Sequence, residues 1–374
     1  MRPGKVPYNT FVRSIDKTIT PRQPFVLRGV GMGHDSSAFD VSQDGAFVVS
    51  QTLCLHADLA LSQDPWLAVD FYCTVNDLLC AGAKPMALTA AFLLPETCEE
   101  EDFRKLVVLL EALCKKENME YAGGDTKIVS EAAVSRPVIT LTGYGPRELW
   151  TNPSASYSKE ARKASEAYFR PRGGQSLLMA GYAGDTGVAL ASLQCGETLA
   201  RRYSEAVLAS ARACLYELSV AKATAVARRH GITAMHNISS DGVFGALWEL
   251  ADGAGLGLTA NLRAIPVLQQ TIEIADCLEL NPYRMEACAS LLMACDPEEA
   301  DAVVSELHAG GIPAACIGRF HEAGQTKARI LVNDDEERYI DRPGGDELQA
   351  FLARVTAMDK IHPAVNTEAD GQHI

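Results

Sequence analysis

The chain has 374 residues, 47% of them hydrophobic and 22% charged, which is ordinary globular usage and enough length for two domains that each bury a core. Its formal net charge of −14 argues against a nucleic-acid partner, because affinity for phosphate backbones comes from clustered Lys and Arg. The start, MRPGKVPYNTFVRSIDK, has no continuous apolar segment, and no later run approaches the roughly 18 apolar residues of a membrane span, so a soluble, cytoplasmic protein with no membrane partner is expected.

In chain order, DSSAFDV and AFVVSQTLCL predict a hairpin turning at Gln43, Asp44 and Gly45, followed by a helix over PWLAVDFYCTVNDLLCAG with Pro65 in its first turn. MALTAAFLL is apolar without polar alternation and predicts a buried strand. CEEEDFRKLVVLLEALCKKENM repeats Phe103, Leu106, Val107, Leu110, Leu113 and Cys114 at helical spacing, with acids at its start and lysines near its end as the helix dipole prefers. EYAGGDTKIV and PVITLTGYG complete an α+β first domain, residues 1–150, with helices on one face of a sheet. Residues 151–172, polar and bounded by Pro and Gly, read as a linker or surface excursion. A second α+β domain, residues 173–345, repeats strand, turn and helix in SLLMAGYAGDTGVAL, ITAMHNISSDGVFGALWELADGAGLGLTANL and SLLMACDPEEADAVVSELHAGGIPAACIGRF. In the last of these Asp296 is the expected N-cap and Pro297 the first helical residue. Residues 346–374 are expected to add a short helix and a flexible tail. The 11 cysteines include no C-x-x-C pair and are expected to pack as small hydrophobes, not as disulfides or zinc ligands.

Three aspartates of the first domain stand in settings suited to phosphate or metal chemistry: Asp35 after Gly33 and His34, Asp77 inside an apolar helix, and Asp125 after Gly123 and Gly124. Carboxylates are the oxygen ligands Mg²⁺ takes beside nucleotide phosphates, and neighbouring glycines let backbone N–H groups approach an anion. Each also has a structural reading: Asp35 and Asp125 as turn residues, Asp77 as a hydrogen-bonded helix residue. The glycines from Gly184 to Gly187 could place an anion site at a helix start or could form an ordinary turn. His236, ending a predicted strand, reads better as structural than as a base, and Asp241 with Gly242 as the turn before the next helix. P-loop, nucleophile-elbow and H-E-x-x-H motifs are absent.

Taken together and in order, TVNDLLCAGAKPMALTAAFLLP, YAGGDTKIV, TLTGYG and AMHNISSDGVFGALWELADGAGLGL resemble the aminoimidazole ribonucleotide (AIR) synthetase superfamily over roughly residues 4–345. That superfamily includes thiamine-monophosphate kinase, selenophosphate synthetase and the carbamoyl-dehydrating hydrogenase maturation factor; GKVP and IPVLQQTIEIADCLELNPYRM resemble the last of these and its AIR-synthase-related kin. The resemblance implies a two-domain α+β fold whose N-terminal sheet pairs with its copy in a homodimer to close a barrel-like sheet. It implies ATP in a cleft between the domains and across the dimer, with Asp35, Asp77 and Asp125 as catalytic residues and ligands of Mg²⁺, and Gly33, His34, Asn76, Gly124, Thr126 and Lys127 around the nucleotide. The implied reaction is phosphorylation of an amide, carbonyl or similar group on a small-molecule or protein-bound acyl substrate; the alternative is a non-catalytic homodimer that binds a nucleotide or metabolite. The sequence departs from the family pattern where acids are usual: His34 stands for the first acid of the glycine-rich loop, Gln51 and Thr52 for a T-D pair, and Asn237 for the acid of a D-x-T-x-G-G run. The last cysteine is Cys316, within a predicted strand, so the carbamoyl-bearing C-terminal cysteine of hydrogenase maturation is not expected here.

Overall fold

A computed structural model describes residues 8–17, 26–28, 31, 34, 36–42, 45–55, 64–148, 170–322, 324, 326–344 and 347–361. The first sheet contains β1 (Val26–Arg28), β2 (Ser36–Ser42), β3 (Gly45–Cys54), β4 (Ala87–Pro95), β5 (Glu120–Val129) and β6 (Val138–Glu148) in the order β1-β2-β3-β6-β4-β5. It is an open sheet, antiparallel except for the β4–β5 pair. β2 and β3 form the hairpin, with Ser42 paired to Gly45. Helices α1 (Pro65–Cys80) and α2 (Glu100–Lys116) lie on one face. Asp64 caps α1 by accepting from the N–H groups of Trp66 and Leu67 at 2.8 and 3.1 Å, and Pro65 takes the first turn, where a missing N–H costs nothing.

Period-two side-chain alternation shows which face of the sheet is covered. On β4, Leu88, Ala90, Phe92 and Leu94 are buried against the helices, whereas Ala91 and Leu93 point the other way and are exposed. The strand expected to be buried throughout is therefore covered on one face only; apart from Thr89 its open-face positions are apolar, so composition hides the alternation. At the sheet edge the pairing of β4 with β5 shifts by one residue between Leu88 and Thr89. Gly124, at φ +154°, lies so close to β4 that a Cβ would sit 1.7 Å from the Ala90 carbonyl oxygen. Gly124→Ala must push the edge strand away; a loss of about 3 kcal/mol in urea unfolding is expected, and a loss below about 1 kcal/mol would show that the edge relaxes freely.

The second sheet runs β13-β12-β9-β11-β7-β10-β8, formed by β7 (Ser176–Ala180), β8 (Ile232–Asn237), β9 (Leu258–Asn261), β10 (Leu291–Cys295), β11 (Ala314–Phe320), β12 (Arg329–Asn333) and β13 (Glu336–Tyr339). Only β9 and β12 pair in parallel. β7 and β10 are buried at every residue because both faces of this sheet are covered. On one side lies α5 (Gly242–Ala254); on the other lie α3 (Asp185–Gln194), α4 (Ala221–Ala227) and α6 (Ala300–Ala309). α7 (Glu347–Ile361) anchors Leu348 in the same core and is longer than the short helix expected. Asp296 precedes a 3-10 turn that leads into α6, but its carboxylate makes no capping bond. It accepts instead from Arg172 and Gln175 at 3.2 and 2.9 Å, a partner set that lies 121 or more residues away and leaves no local trace in the sequence. Residues 151–169 of the stretch expected as a linker, and the polar tail after residue 361, lie outside the described residues.

A single apolar cluster runs from α1, α2 and β4 of the first sheet into α3, α4 and the inner face of the second sheet. α1 is the shared element: twelve of its sixteen residues are buried, so it is apolar nearly all round, as a helix with neighbours on every side must be. Among the described residues no helix is long and apolar enough to cross a membrane.

Candidate functional site at the junction of the two sheets

Asn76 and Asp77 are the polar pair within α1, and the structure gives them different work. Asn76 is fully buried. Its Nδ2 donates to the carbonyl oxygens of Leu218 and Cys288 at 2.8 and 2.7 Å, and its Oδ1 accepts from Val220 N–H at 3.0 Å. All of these partners are backbone groups of the second half of the chain. Asn76 was expected to help surround a nucleotide; with its amide spent on these three contacts, it is a clamp that holds the two halves together.

Asp77 is half-buried and faces the seam. Ser50 Oγ on β3 donates to its Oδ2 at 2.8 Å, and Asn237 Nδ2 at the end of β8 donates to its Oδ1 at 3.3 Å. One carboxylate is thus held by the first sheet on one side and the second on the other. Next to Asn237, Asp241 and Gly242 adopt left-handed backbone, φ 69° and 61°, and turn the chain into α5. His236 is buried, with Nε2 3.4 Å from Glu249 Oε2, in keeping with a structural role.

Asp125 is elsewhere. It pairs across from Ala91 on the open face of the sheet, on the edge strand three strands from β3, and its side chain is 65% exposed. Ser50 and Asp77 lie on the covered face, so the two acids lie on opposite sides of one sheet and cannot share a phosphate within a single chain. Lys127 Nζ at 3.2 Å and the Thr126 N–H at 2.9 Å hold Asp125 ionised below the usual carboxylate range, the Lys127 contact contributing most. Thr126 and Lys127, expected near the nucleotide, serve Asp125 in this chain, and Gly124 answers to the packing of the edge strand. Asp35 and Gly33 lie outside the described residues. His34 is half-buried, its ring against Gly31.

The helix start at Gly184 is not an open anion site. Thr186 N–H donates to the Asp185 carboxylate at 2.6 Å, Gly187 N–H to the Glu286 carbonyl at 2.8 Å, and Val188 N–H to the Gly184 carbonyl at 3.0 Å, so its donors are spent inside the fold. Burial pushes Asp185 up to about 6, with the Thr186 bonds acting in the opposite direction. A folded-state value raised above the ordinary 3.8 means that the folded chain keeps a proton the unfolded chain has lost. The stability this contributes is full below about pH 4 and is lost as pH rises through about 6. Asp185→Asn is therefore expected to be more stable than the parent by on the order of 2 kcal/mol at pH 7.5 and indistinguishable from it at pH 4, in paired urea titrations. Equal stability at both pH values would refute the assignment.

Some residues at the seam were not anticipated. Cys73 on α1 and Cys288 before β10 bring their sulfurs to 3.7 Å, and Glu286 Oε1 lies 3.6 Å from Cys73 Sγ. The hydrogen bond with Cys288, then burial, pushes the Cys73 thiol up, and burial does the same to Cys288, so neither is a ready thiolate nucleophile. Their even scatter among apolar residues gave no sign of this meeting. Ser50 was also missed, although it stands one residue before the Gln51–Thr52 pair where acids were sought.

Among the described residues no group of three or more His, Cys, Asp or Glu side chains could hold a metal ion. Asp77 offers one carboxylate beside a hydroxyl and an amide. That donor set fits a Mg²⁺ that takes most of its oxygens from nucleotide phosphates and water, as Mg²⁺ commonly does, and does not fit an all-protein cage.

Family models for the AIR synthase related protein match this architecture twice, the N-terminal domain at residues 33–146 and the C-terminal domain at residues 172–330. The chain belongs to the AIR synthase related family. Among curated relatives it is similar to the carbamoyl dehydratase HypE of Cupriavidus necator, 26% identical over 323 residues, covering 84% of this chain and 85% of the relative. In fold it resembles the hydrogenase maturation protein HypE solved in complex with ATP, with a TM-score of 0.65 at 20% identity, covering 91% of this chain and 94% of that one. It also resembles AaThiL complexed with AMPPCP and TMP, with a TM-score of 0.67 at 15% identity over 93% of this chain and 98% of that one. The two matched domains and the overall fold are thus family features.

Proposed function

We propose that this chain is an ATP-dependent enzyme that transfers the γ-phosphoryl group of ATP to an amide or carbonyl oxygen of a small-molecule or protein-bound acyl substrate. The observation that carries the reading is the position of Asp77, a carboxylate on α1 where the two halves of the chain meet, hydrogen-bonded from both. Membership of the AIR synthase related family and similarity to a carbamoyl dehydratase supply the reaction class. In the reaction the substrate oxygen bonds to the γ-phosphorus as the bond to the bridging oxygen of ADP breaks. Such transfer rests on positioning and charge neutralisation. Mg²⁺ bound on the phosphates by Asp77, with Asp35 and Asp125 as the further expected carboxylates, would supply the neutralising charge. This chain's own residues aim and hold: Ser50 and Asn237 fix both oxygens of Asp77, and the apolar seam behind it excludes water.

A homodimer completes the reading. The open face of the first sheet exposes Leu53 and Leu93 at 51% and 40%, an apolar surface that ends at an edge strand with no further partner among the described residues. Pairing with a second copy would cover it and set Asp125 at the interface, where it would act on its partner's nucleotide. The test is Mg²⁺-dependent ATP binding followed by ADP release across a panel of carboxamides and carbamoylated peptides. Release with at least one of them is expected. Tight nucleotide binding with no release across the panel would favour a non-catalytic nucleotide-binding homodimer, and absence of nucleotide binding would overturn both.

A further inference from the structure

Asn237 is 2% exposed, and its amide is oriented by its neighbour: Nδ2 faces Asp77 Oδ1 at 3.3 Å, while the buried Oδ1 has no hydrogen-bond donor among the described residues. The reversed amide would set two oxygens against each other, so an ionised Asp77 fixes the orientation. The family resemblance implies an acid at this position. Two carboxylates at this separation, one buried and one half-buried, repel and need a cation or a shared proton between them. An amide needs neither. Ser50 satisfies the other carboxylate oxygen, so both oxygens of Asp77 have neutral donors.

We infer that Asn237 is a positioning residue that frees the resting site from any need for a divalent cation: its N–H occupies the place a metal would take between two acids, latching the second sheet onto Asp77. A cation then enters only with the nucleotide, on the phosphates. This rests on the reading of Asp77 as the acid of the nucleotide site, but its test uses no nucleotide.

The experiment is thermal unfolding of the full chain in EDTA and in millimolar MgCl2 without nucleotide. The parent is expected to unfold within about 1 °C of the same temperature in both. Asn237→Asp is expected to unfold several degrees lower in EDTA and to recover most of the difference with Mg²⁺, a response that loss of packing would not give. If Asn237→Asp folds only in the presence of Mg²⁺, the inference is equally supported. The exchanged pair, Asp77→Asn with Asn237→Asp, restores one amide facing one carboxylate and is expected to be indifferent to Mg²⁺ again. A parent stabilised by Mg²⁺ alone, an Asn237→Asp variant that ignores Mg²⁺, or an exchanged pair that still responds to it would each overturn the inference. Failure of the catalytic reading would appear separately, as wild-type protein that releases no ADP while these unfolding curves behave as described.

Discussion

Asp77→Asn is expected to fold normally and lose ATP-dependent turnover by about a thousandfold. The fold should survive because Asp77 lies at the rim of the shared core, half-buried, and an amide of the same size can still accept from Ser50. Turnover should not survive, because an amide cannot neutralise a metal ion on the triphosphate. Asp125→Asn, on the open face, is expected to be equally inactive and equally well folded, since its side chain is mostly in water. The decisive result is the mixture. If Asp125 acts on its partner's nucleotide, a dimer with one protomer of each kind has one site carrying both substitutions and one carrying neither. Random exchange of the two dead variants should then return about a quarter of the wild-type rate, counting half the dimers as mixed and one site in two as intact. A mixture as dead as its components would remove Asp125 from a shared site. Activity retained in Asp77→Asn alone would remove the function proposed for this seam.

Much of this architecture was legible in the sequence, for identifiable physical reasons. α2 declares itself by helical spacing, acids in its first turn and lysines in its last, and α1 by Pro65 at its start. Asp77 could be singled out because a polar pair in an apolar helix must have partners. What could not be read was who the partners are. Asn76 and Asp77 are adjacent and alike in size, yet successive helical positions point about 100° apart, so one faces backbone of the second half and the other the open seam. Asp125 is kept from Asp77 within one chain for a comparable reason: face and strand order, not sequence distance, separate the two, and strand order is not encoded locally. Asp296 likewise had the sequence signature of a cap, but Arg172 and Gln175 claimed its carboxylate first.

Asn76→Leu should be the most destabilising substitution in this region, and its size follows from its three backbone contacts. Leucine matches the shape closely enough to leave little cavity, so the loss is electrostatic: the Leu218 and Cys288 carbonyls and the Val220 N–H remain buried with the Asn76 partner gone. Each unsatisfied group costs about 1–3 kcal/mol, which makes the total about 3–9 kcal/mol, a large share of the about 5–15 kcal/mol that holds a typical protein folded. Asn76→Asp is the sharper companion. It keeps shape and acceptor but turns the donor into an oxygen facing two carbonyls, so it should be at least as damaging at pH 7.5. Urea unfolding followed by the fluorescence of Trp66 on α1 and Trp248 on α5 places a reporter in each half of the molecule. In the parent the shared core predicts one transition for both halves. Because Asn76 is what fastens α1 to the second half by hydrogen bonds, weakening it should lower the midpoint and separate the two halves' unfolding. A midpoint shift worth less than about 1 kcal/mol would mean that apolar packing alone joins them, and that the amide is a passenger in the core.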